Sequence, residues 1–352
     1  MHRFRFVVAA LVAGALFQSL AGQADAQQPV VKRRLAEGVV TVIPPDPLDG
    51  ETFQGPLPIV ELTTGRANLD WPAEGPNFTP KTQTLKEMAS RAILRHRIWN
   101  LEFAFKPMRL VEVDVPQPTG KMQRKAVWYL VYKVTYRGNE LSPTGRLPDS
   151  RESIDEDLEA WKYELYSEIQ PVNSPYKRFF PHFVLANRPY DKQYLDRVIP
   201  AAKMPILMRE FPSKTPGVPE IPPEHFYNSV EISKVPIKLS DAQTDNGVWG
   251  FVTWMDVDPR IDYFSLYVRG LTNAFRFADP AGAYQAGDPP ATGRQFQYKT
   301  LQMNFYRPGD TAFEHEKEFR FGVPVVSSPG DQAAILDKYG IRQRVDYLWV
   351  YR

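Results

Sequence analysis

The stretch AVWYLVYKVTY, residues 126–136, carries apolar side chains on both faces of a single strand. Successive side chains of a strand point to opposite faces, which separates two apolar sets. The sets are Trp128, Leu130, Tyr132 and Val134 on one face, and Val127, Tyr129 and Val131 on the other. β-Branched and aromatic residues favour strands, and a strand covered on both faces is typical of the middle of a sheet. This stretch therefore predicts a central strand and a mainly β fold.

Further strand patterns lie on both sides of it. Alternating apolar residues at 99–105 and 111–115 predict two strands before it, and Gly138-Asn139 predicts a turn after it. The other predicted strands are Val39 to Ile43, Phe179 to Leu185, Tyr194 to Ile199, Val230 to Leu239, Val248 to Met255, Tyr263 to Val268, Phe296 to Tyr306, Lys317 to Val323 and Val345 to Tyr351. Pro181 places the strand at 179–185 on a sheet edge, because proline cannot donate a ladder hydrogen bond.

A proline-rich segment, 211–223, divides these strands into two groups and predicts a domain boundary. Each group consists of short antiparallel strands and is near the length of a seven-stranded sandwich. We therefore predict two tandem immunoglobulin-like β-sandwich domains, 83–215 and 224–352. Helical spacing predicts short helical insertions at 84–92, 153–165 and 331–339, the last ended by Gly340.

The N-terminus predicts export. A short basic region and an apolar stretch from Phe6 to Leu20 precede Ala24-Asp25-Ala26, which fits the pattern read by signal peptidase. We expect residues 1–26 to form a signal peptide and residues 27–82 to form a proline-rich extended leader. The alternative is that the signal peptide is retained as an anchor. The expected location is the bacterial periplasm, cell envelope or extracellular space.

Composition excludes several kinds of chemistry. The chain has no cysteine, so disulfides, thiolate metal ligands and thiol nucleophiles are excluded. Its formal net charge is +2, which gives no electrostatic basis for binding nucleic acid. No second apolar run of membrane length follows the signal region, so we expect no integral span after cleavage.

Asp256, Asp258 and Asp262 form the acidic stretch DVDPRID, the one candidate metal site, with calcium as its ion. A helix-loop-helix calcium loop counted from Asp256 needs an oxygen ligand, glycine and glutamate at positions 5, 6 and 12. The sequence has Arg260, Ile261 and Tyr267 there. The alternative is a calcium site of another spacing between β-strands, at which the three aspartates converge. The simpler interpretation is an acidic turn in which Arg260 supplies an internal cation.

Sequence motifs for catalysis are missing: there is no nucleophile elbow, zinc-binding HExxH, phosphate-binding loop or dinucleotide fingerprint. Glu314-His315-Glu316 is interpreted as surface ion pairing, and His182 as a packed or edge residue. Six aromatic residues on strands could stack on sugars if exposed, although core burial is the simpler expectation. They are Trp249, Trp254, Tyr263, Tyr267, Trp349 and Tyr351. We assign no catalytic residue and no cofactor.

Several runs resemble an uncharacterised family of exported planctomycete proteins, among them 101–116, 128–134, 179–185, 248–275 and 345–352. The resemblance implies a bacterial envelope location and no known activity. Together these observations predict an exported, non-enzymatic structural protein that acts through protein partners in the cell envelope. The alternative is a carbohydrate-binding or carbohydrate-active protein of the same architecture, with polysaccharide as its partner.

Overall fold

The central strand predicted at 126–136 lies in the middle of a six-stranded sheet. The computed structural model describes residues 40–42, 47–52, 96–144, 168–278, 280–283, 292–307 and 319–352. The sheet runs β1 (Val40–Val42), β2 (Glu102–Phe105), β4 (Met122–Thr135), β12 (Val248–Met255) and β10 (Phe226–Tyr227), and β3 (Arg109–Pro116) also pairs with β4. β4 and β12 are antiparallel, with Trp128 opposite Trp254. The prediction of a central strand is confirmed.

A second, seven-stranded sheet packs against the first. It runs β14 (Phe275–Ala278), β15 (Gln295–Tyr306), β13 (Tyr263–Arg269), β8 (His182–Asn187) and β9 (Lys192–Leu195). β16 (Arg320–Phe321) and β17 (Tyr347–Tyr351) pair with the other side of β15. Two small sheets pair β5 (Glu140–Thr144) with β6 (Glu168–Val172) and β7 (Tyr176–Lys177) with β11 (Ile237–Lys238). The fold is mainly β, as predicted.

One apolar core fills the space between the two large sheets. Phe103, Trp128 and Tyr132 from the first sheet contact Phe183 and Phe264 from the second, with ring centroids 5.1–6.4 Å apart. Such aromatic contacts add to the burial of apolar area that stabilises a sandwich. The opposite face of β4 is also buried. There Val127, Tyr129 and Val131 lie in a second apolar cluster.

Helices cover the outer faces of both sheets. α1 (Pro200–Glu210) buries Ala202, Ile206 and Leu207 in the cluster on the first sheet. α2 (Ser229–Ile232) is a single turn. α3 (Pro329–Tyr339) packs on β13 and ends at Gly340, whose φ of 70° is the left-handed C-cap conformation. The helix predicted at 331–339 is thus confirmed. Those at 84–92 and 153–165 lie outside the described residues, as do the signal peptide and most of the leader.

Two local predictions are wrong. β8 lies between β13 and β9, so it is an internal strand; Pro181 precedes its first residue and takes no part in the ladder. The predicted strand at 230–239 is instead α2 followed by β11, because Asn228 and Glu231 form a capping box that begins a helix.

The two tandem immunoglobulin-like domains are not confirmed. β10 and β12, from beyond the segment 211–223, join the first sheet, and β8 and β9, from before it, join the second. Both sheets therefore take strands from each side of the expected boundary, and the chain from Gly38 to Arg352 forms one compact unit. The physical reason is that β4 needs partners on both edges, and β12 supplies one of them.

We expect the fragment 83–215 to remain unfolded when it is produced alone, because it lacks both β12 and β13. Full-length protein should unfold in one cooperative transition. Near-ultraviolet circular dichroism and urea titration of both proteins measure this. A cooperative transition in the isolated fragment would support two independent domains and contradict the shared core.

Candidate functional site

A cleft of about 410 Å³ lies where β3 and β4 meet the loop that joins β12 to β13. Its walls combine apolar and charged side chains. The apolar ones include Leu110, Trp128 and Val257, and the charged ones are Glu112, Lys125, Asp256 and Arg307. The cleft thus brings the predicted acidic stretch, through Asp256, beside the central strand.

Asp256 occupies an unusual backbone conformation, with φ of 62°. Aspartate tolerates the left-handed region better than most residues other than glycine. Its carboxylate lies 2.7 Å from Lys125 Nζ and 3.5 Å from Arg197 Nη1. Asp256 therefore ties the end of β12 to β4 and to the segment between β9 and α1.

Asp258 and Asp262 point to other cations. Asp258 accepts hydrogen bonds from Arg260 Nη2 at 2.8 Å and Lys192 Nζ at 2.6 Å. Asp262 accepts from Arg307 Nη2 at 3.0 Å, and the same guanidinium contacts the carbonyl of Pro259. Each of the three aspartates thus has its own set of positively charged partners.

This pairing explains the acidic stretch as an ion-paired turn. Among the residues that the structure describes, no three acidic or histidine side chains group as metal ligands do. The carboxylates diverge because Lys125 lies on β4, Lys192 lies on β9 and Arg307 directly follows β15. The ion pairs tie the end of β12 to β4 and the start of β13 to the end of β15. They also bring Arg260 onto Asp258, as the internal cation that the sequence suggested.

The pKa of Asp258 is held well below its usual range, first by the hydrogen bonds from Arg260 and then by that from Lys192. A lowered pKa stabilises the fold above the unfolded-state value of about 3.9, and this stability is lost as pH falls towards the folded-state value. We expect Asp258→Asn to lower the free energy of unfolding at pH 7, and the difference from wild type to shrink below about pH 4. Urea titrations at pH 7, 4 and 3 measure this.

The exposed Asp114 provides a matched control, since the structure shows no ion pair for it among the described residues. Asp114→Asn should leave the free energy of unfolding nearly unchanged at every pH. A difference between Asp258→Asn and wild type that stays constant from pH 7 to 3 would contradict the assignment.

The aromatic residues singled out in the sequence form no exposed platform. Trp254 is fully buried in the core, and the other five are partly buried. Trp249 packs on Phe211, Tyr267 lies under Arg352, and Trp349 packs against the core. His182 is exposed at the start of β8, where β9 does not reach it, so of the two predicted alternatives, packed or edge residue, the structure excludes the packed one. Glu314-His315-Glu316 lies outside the described residues.

Exposed aromatic rings occur instead on β14 and β15, in a group that the sequence did not reveal. Phe275 pairs with Tyr298, and Phe277 pairs with Phe296, so all four side chains share one face. Phe296 and Tyr298 are 46% and 40% exposed, so large rings lie next to each other at the surface. We call these four residues the aromatic ribbon.

Arginine side chains lie on the aromatic ribbon. The guanidinium carbon of Arg269 is 5.0 Å from the Tyr298 ring centroid, and that of Arg294 is 4.1 Å from the Phe277 centroid. Such stacking fixes a cation against an aromatic face. The sequence signal for the ribbon is the alternation Phe275-x-Phe277 and Phe296-x-Tyr298, but only the pairing register shows that the two sets meet.

Comparison with protein-family models, with curated proteins and with solved structures finds no match to this chain. Within the described parts of the chain, no helix is both long and apolar enough to cross a membrane. The chemistry of the protein surface is therefore the basis for assigning a function.

Proposed function

We propose that this is an exported, non-enzymatic protein of the bacterial cell envelope that binds a partner protein through the aromatic ribbon. The observation that carries the proposal is the exposure of Phe296 and Tyr298 beside Phe275 and Phe277. Aromatic residues and arginine are enriched at protein interfaces and dominate their binding energy. The signal-like N-terminus and the family resemblance support the envelope location.

The charge of the ribbon indicates the chemistry of its partner. Residues 263–278 and 292–307 contain five lysine or arginine residues and no aspartate or glutamate. Lys299 pairs with Glu51 and Arg307 with Asp262, whereas the guanidinium groups of Arg269 and Arg294 stack on ribbon rings and that of Arg276 stacks on Tyr351. An acidic segment with apolar side chains complements this surface, because opposite charges steer association and aromatic contacts hold it.

The ribbon suits a protein better than a sugar. Three of its four rings are phenylalanine, which has no polar group to bond a hydroxyl. The Phe296 ring is inclined by 62° to Phe275 and 55° to Phe277, and by 23° to Tyr298, so the four rings together do not form one flat platform. A protein side chain fits between inclined rings, whereas a sugar ring stacks on a flat one.

A carbohydrate-binding or carbohydrate-active role is the second candidate, and the cleft beside β4 favours it. Two carboxylates, Glu112 and Asp256, line that cleft together with Trp128. However, Glu112 pairs with Arg124 and Asp256 with Lys125. Trp128 is only 5% exposed, which leaves no open ring for a sugar to stack on.

Photocrosslinking in the exporting cell tests the protein-binding proposal. A photoreactive phenylalanine analogue at 296 or 298 should capture one partner, and the crosslinked peptide should be acidic. The same analogue at Tyr190, which is 45% exposed in the turn between β8 and β9, is the matched control. Equal capture from both positions, or recovery of polysaccharide alone, would contradict the proposal.

The double variant Phe296→Ala/Tyr298→Ala should weaken partner binding at least about tenfold, since interface aromatics commonly contribute more than 1.4 kcal/mol. Its free energy of unfolding should stay within about 1 kcal/mol of wild type, because both rings are exposed. Binding is measured with the purified partner, and stability by urea titration. Unchanged affinity would remove the ribbon from the interface.

A further inference from the structure

A second cleft, of about 220 Å³, lies on the outer face of the second sheet beside the C-terminus of α3. Four positively charged side chains line it, against one carboxylate, Asp191. The four are Arg188, Lys192, Lys338 and Arg352. Such an excess of positive charge in one concave site attracts anions.

Two of the cations are held in place without a carboxylate. The guanidinium carbon of Arg352 lies 4.1 Å from the Tyr267 ring centroid, and its Nη2 donates to Gln193 Oε1 at 2.8 Å. Lys338 Nζ lies 3.9 Å from the Tyr263 centroid. Neither has an ion-pair partner among the described residues. A cation fixed on a ring keeps its remaining N–H groups for another acceptor.

The other two cations are already paired with carboxylates, so Arg352 and Lys338 supply the positive charge of the cleft. Lys192 lies 2.6 Å from Asp258, and Arg188 lies 3.5 Å from Asp337. Arg188 also fits closely against Gly340, where a Cβ atom would come within 2.5 Å of its Nη1. The cap glycine of α3 thus leaves room for a guanidinium at the rim.

The floor of the cleft is polar although it is buried. Ser265 and Gln302 are each 4% exposed. Gln302 Nε2 donates to Ser265 Oγ at 3.2 Å and to the Tyr339 carbonyl at 3.2 Å, and Ser265 Oγ donates to Asn304 Oδ1 at 2.9 Å. A small number of fixed polar groups at the base of a pocket is typical of ligand sites.

We propose that this cleft binds a single oxyanion group, with Arg352 and Lys338 as its charged donors. Its volume suits one phosphate, sulfate or carboxylate group rather than a length of polymer. Oxyanions fit because arginine presents several N–H donors in one plane and lysine adds a point charge. The lining of the cleft shares no residue with the aromatic ribbon, although the backbone of Arg352 pairs with that of Tyr298. The cleft gives the protein a small-ligand site in addition to a protein-binding surface.

Isothermal titration of the full chain with sodium phosphate and with sodium acetate, at ionic strength matched with sodium chloride, tests the proposal. We expect saturable binding of one anion per chain for at least one of the two. Stronger binding of phosphate would assign the cleft to phosphate-like groups, and stronger binding of acetate to carboxylates. Either result supports the proposal. If neither phosphate nor acetate binds saturably, the proposal is overturned.

Arg352→Gln/Lys338→Gln should weaken that binding at least about tenfold, as expected for losing charge-assisted hydrogen bonds. Lys234→Gln/Lys238→Gln removes two exposed charges elsewhere and should bind as wild type does. Arg352→Lys keeps the charge and should give an intermediate affinity, which also separates lost binding from lost folding. Equal affinity of the first variant and wild type would overturn the assignment of the residues.

Discussion

Replacing Glu210 with alanine is expected to lower the free energy of unfolding by about 3–5 kcal/mol, because buried cations would lose their carboxylate. Glu210 ends α1 on the outer face of the first sheet, and its side chain is 3% exposed. Arg109 Nη1 donates to its two oxygens at 2.9 and 2.7 Å, and the Tyr129 hydroxyl donates at 2.6 Å. Lys106 Nζ lies 3.7 Å away and donates to the Glu210 carbonyl at 2.5 Å.

The surroundings of Glu210 explain the size of this effect. Burial lowers the pKa of Lys106, and the attraction of Glu210 opposes that shift. Burial also raises the pKa of Tyr129, and the hydrogen bond to Glu210 raises it further. Without the Glu210 carboxylate, Lys106 and Arg109 would face each other beside the buried hydroxyl of Tyr129. The resulting loss in the free energy of unfolding is expected to be far larger than the contribution of an exposed ion pair.

Glu112→Gln is the matched control for Glu210→Ala. Glu112 pairs with Arg124 at 2.9 Å, and both side chains are exposed. Glu112→Gln should lower the free energy of unfolding by about 1 kcal/mol or less. Urea titration at pH 7 measures both variants, and Tyr129→Phe combined with Glu210→Ala separates the contribution of the phenol. Similar losses in the free energy of unfolding for Glu112→Gln and Glu210→Ala would show that the contacts of Glu210 contribute no more than a surface ion pair.

Trp254→Ala is expected to lower the free energy of unfolding by about 3–5 kcal/mol. Trp254 is fully buried between the two sheets, opposite Trp128 on β4. Its ring meets Phe183 of the second sheet edge to face, with centroids 6.5 Å apart. Alanine would leave a cavity where both sheets supply walls, so the site cannot collapse without moving a sheet.

Trp254→Phe tests the packing explanation. Phenylalanine keeps much of the ring volume and removes an indole N–H that has no hydrogen-bond partner among the described residues. We expect Trp254→Phe to lower the free energy of unfolding by less than Trp254→Ala does, because removing an unpaired buried donor offsets part of the lost packing. Phe180→Ala, at an exposed ring, should change the free energy of unfolding by less than about 1 kcal/mol. Thermal and urea unfolding measure all three variants, and a larger loss for phenylalanine than for alanine would contradict the explanation.

Strand identity was predictable where local pattern and burial agree. β4 and β12 are apolar on both faces, and both lie inside a sheet with a helix-covered outer side. The segment 248–255 was predicted with the bounds that the structure shows. Strand partners were not predictable, because pairing β4 with β12 joins residues well over a hundred positions apart, such as Val134 with Val248, and a local pattern carries no such information.

Two further features were hidden for physical reasons. The sequence analysis assigned no helix to 200–210, where Pro205 removes one backbone donor; burial of Ile206 and Leu207 against the first sheet stabilises α1 in spite of it. For the acidic stretch, the sequence indicated only that Arg260 supplies an internal cation. Lys125 and Lys192 lie on strands far away in the sequence, and Arg307 follows β15, so these pairs could be identified only from the fold. The same holds for the aromatic ribbon.

The sharing of strands between the two halves has a consequence for synthesis. A ribosome produces β4 long before β12 and β13, so one edge of β4 and the part of its face that packs on β13 stay uncovered in the interval. Open edges and apolar faces of this kind invite pairing with other chains. We therefore expect the nascent chain to depend on chaperones until the last strands emerge, and to fold late and all at once.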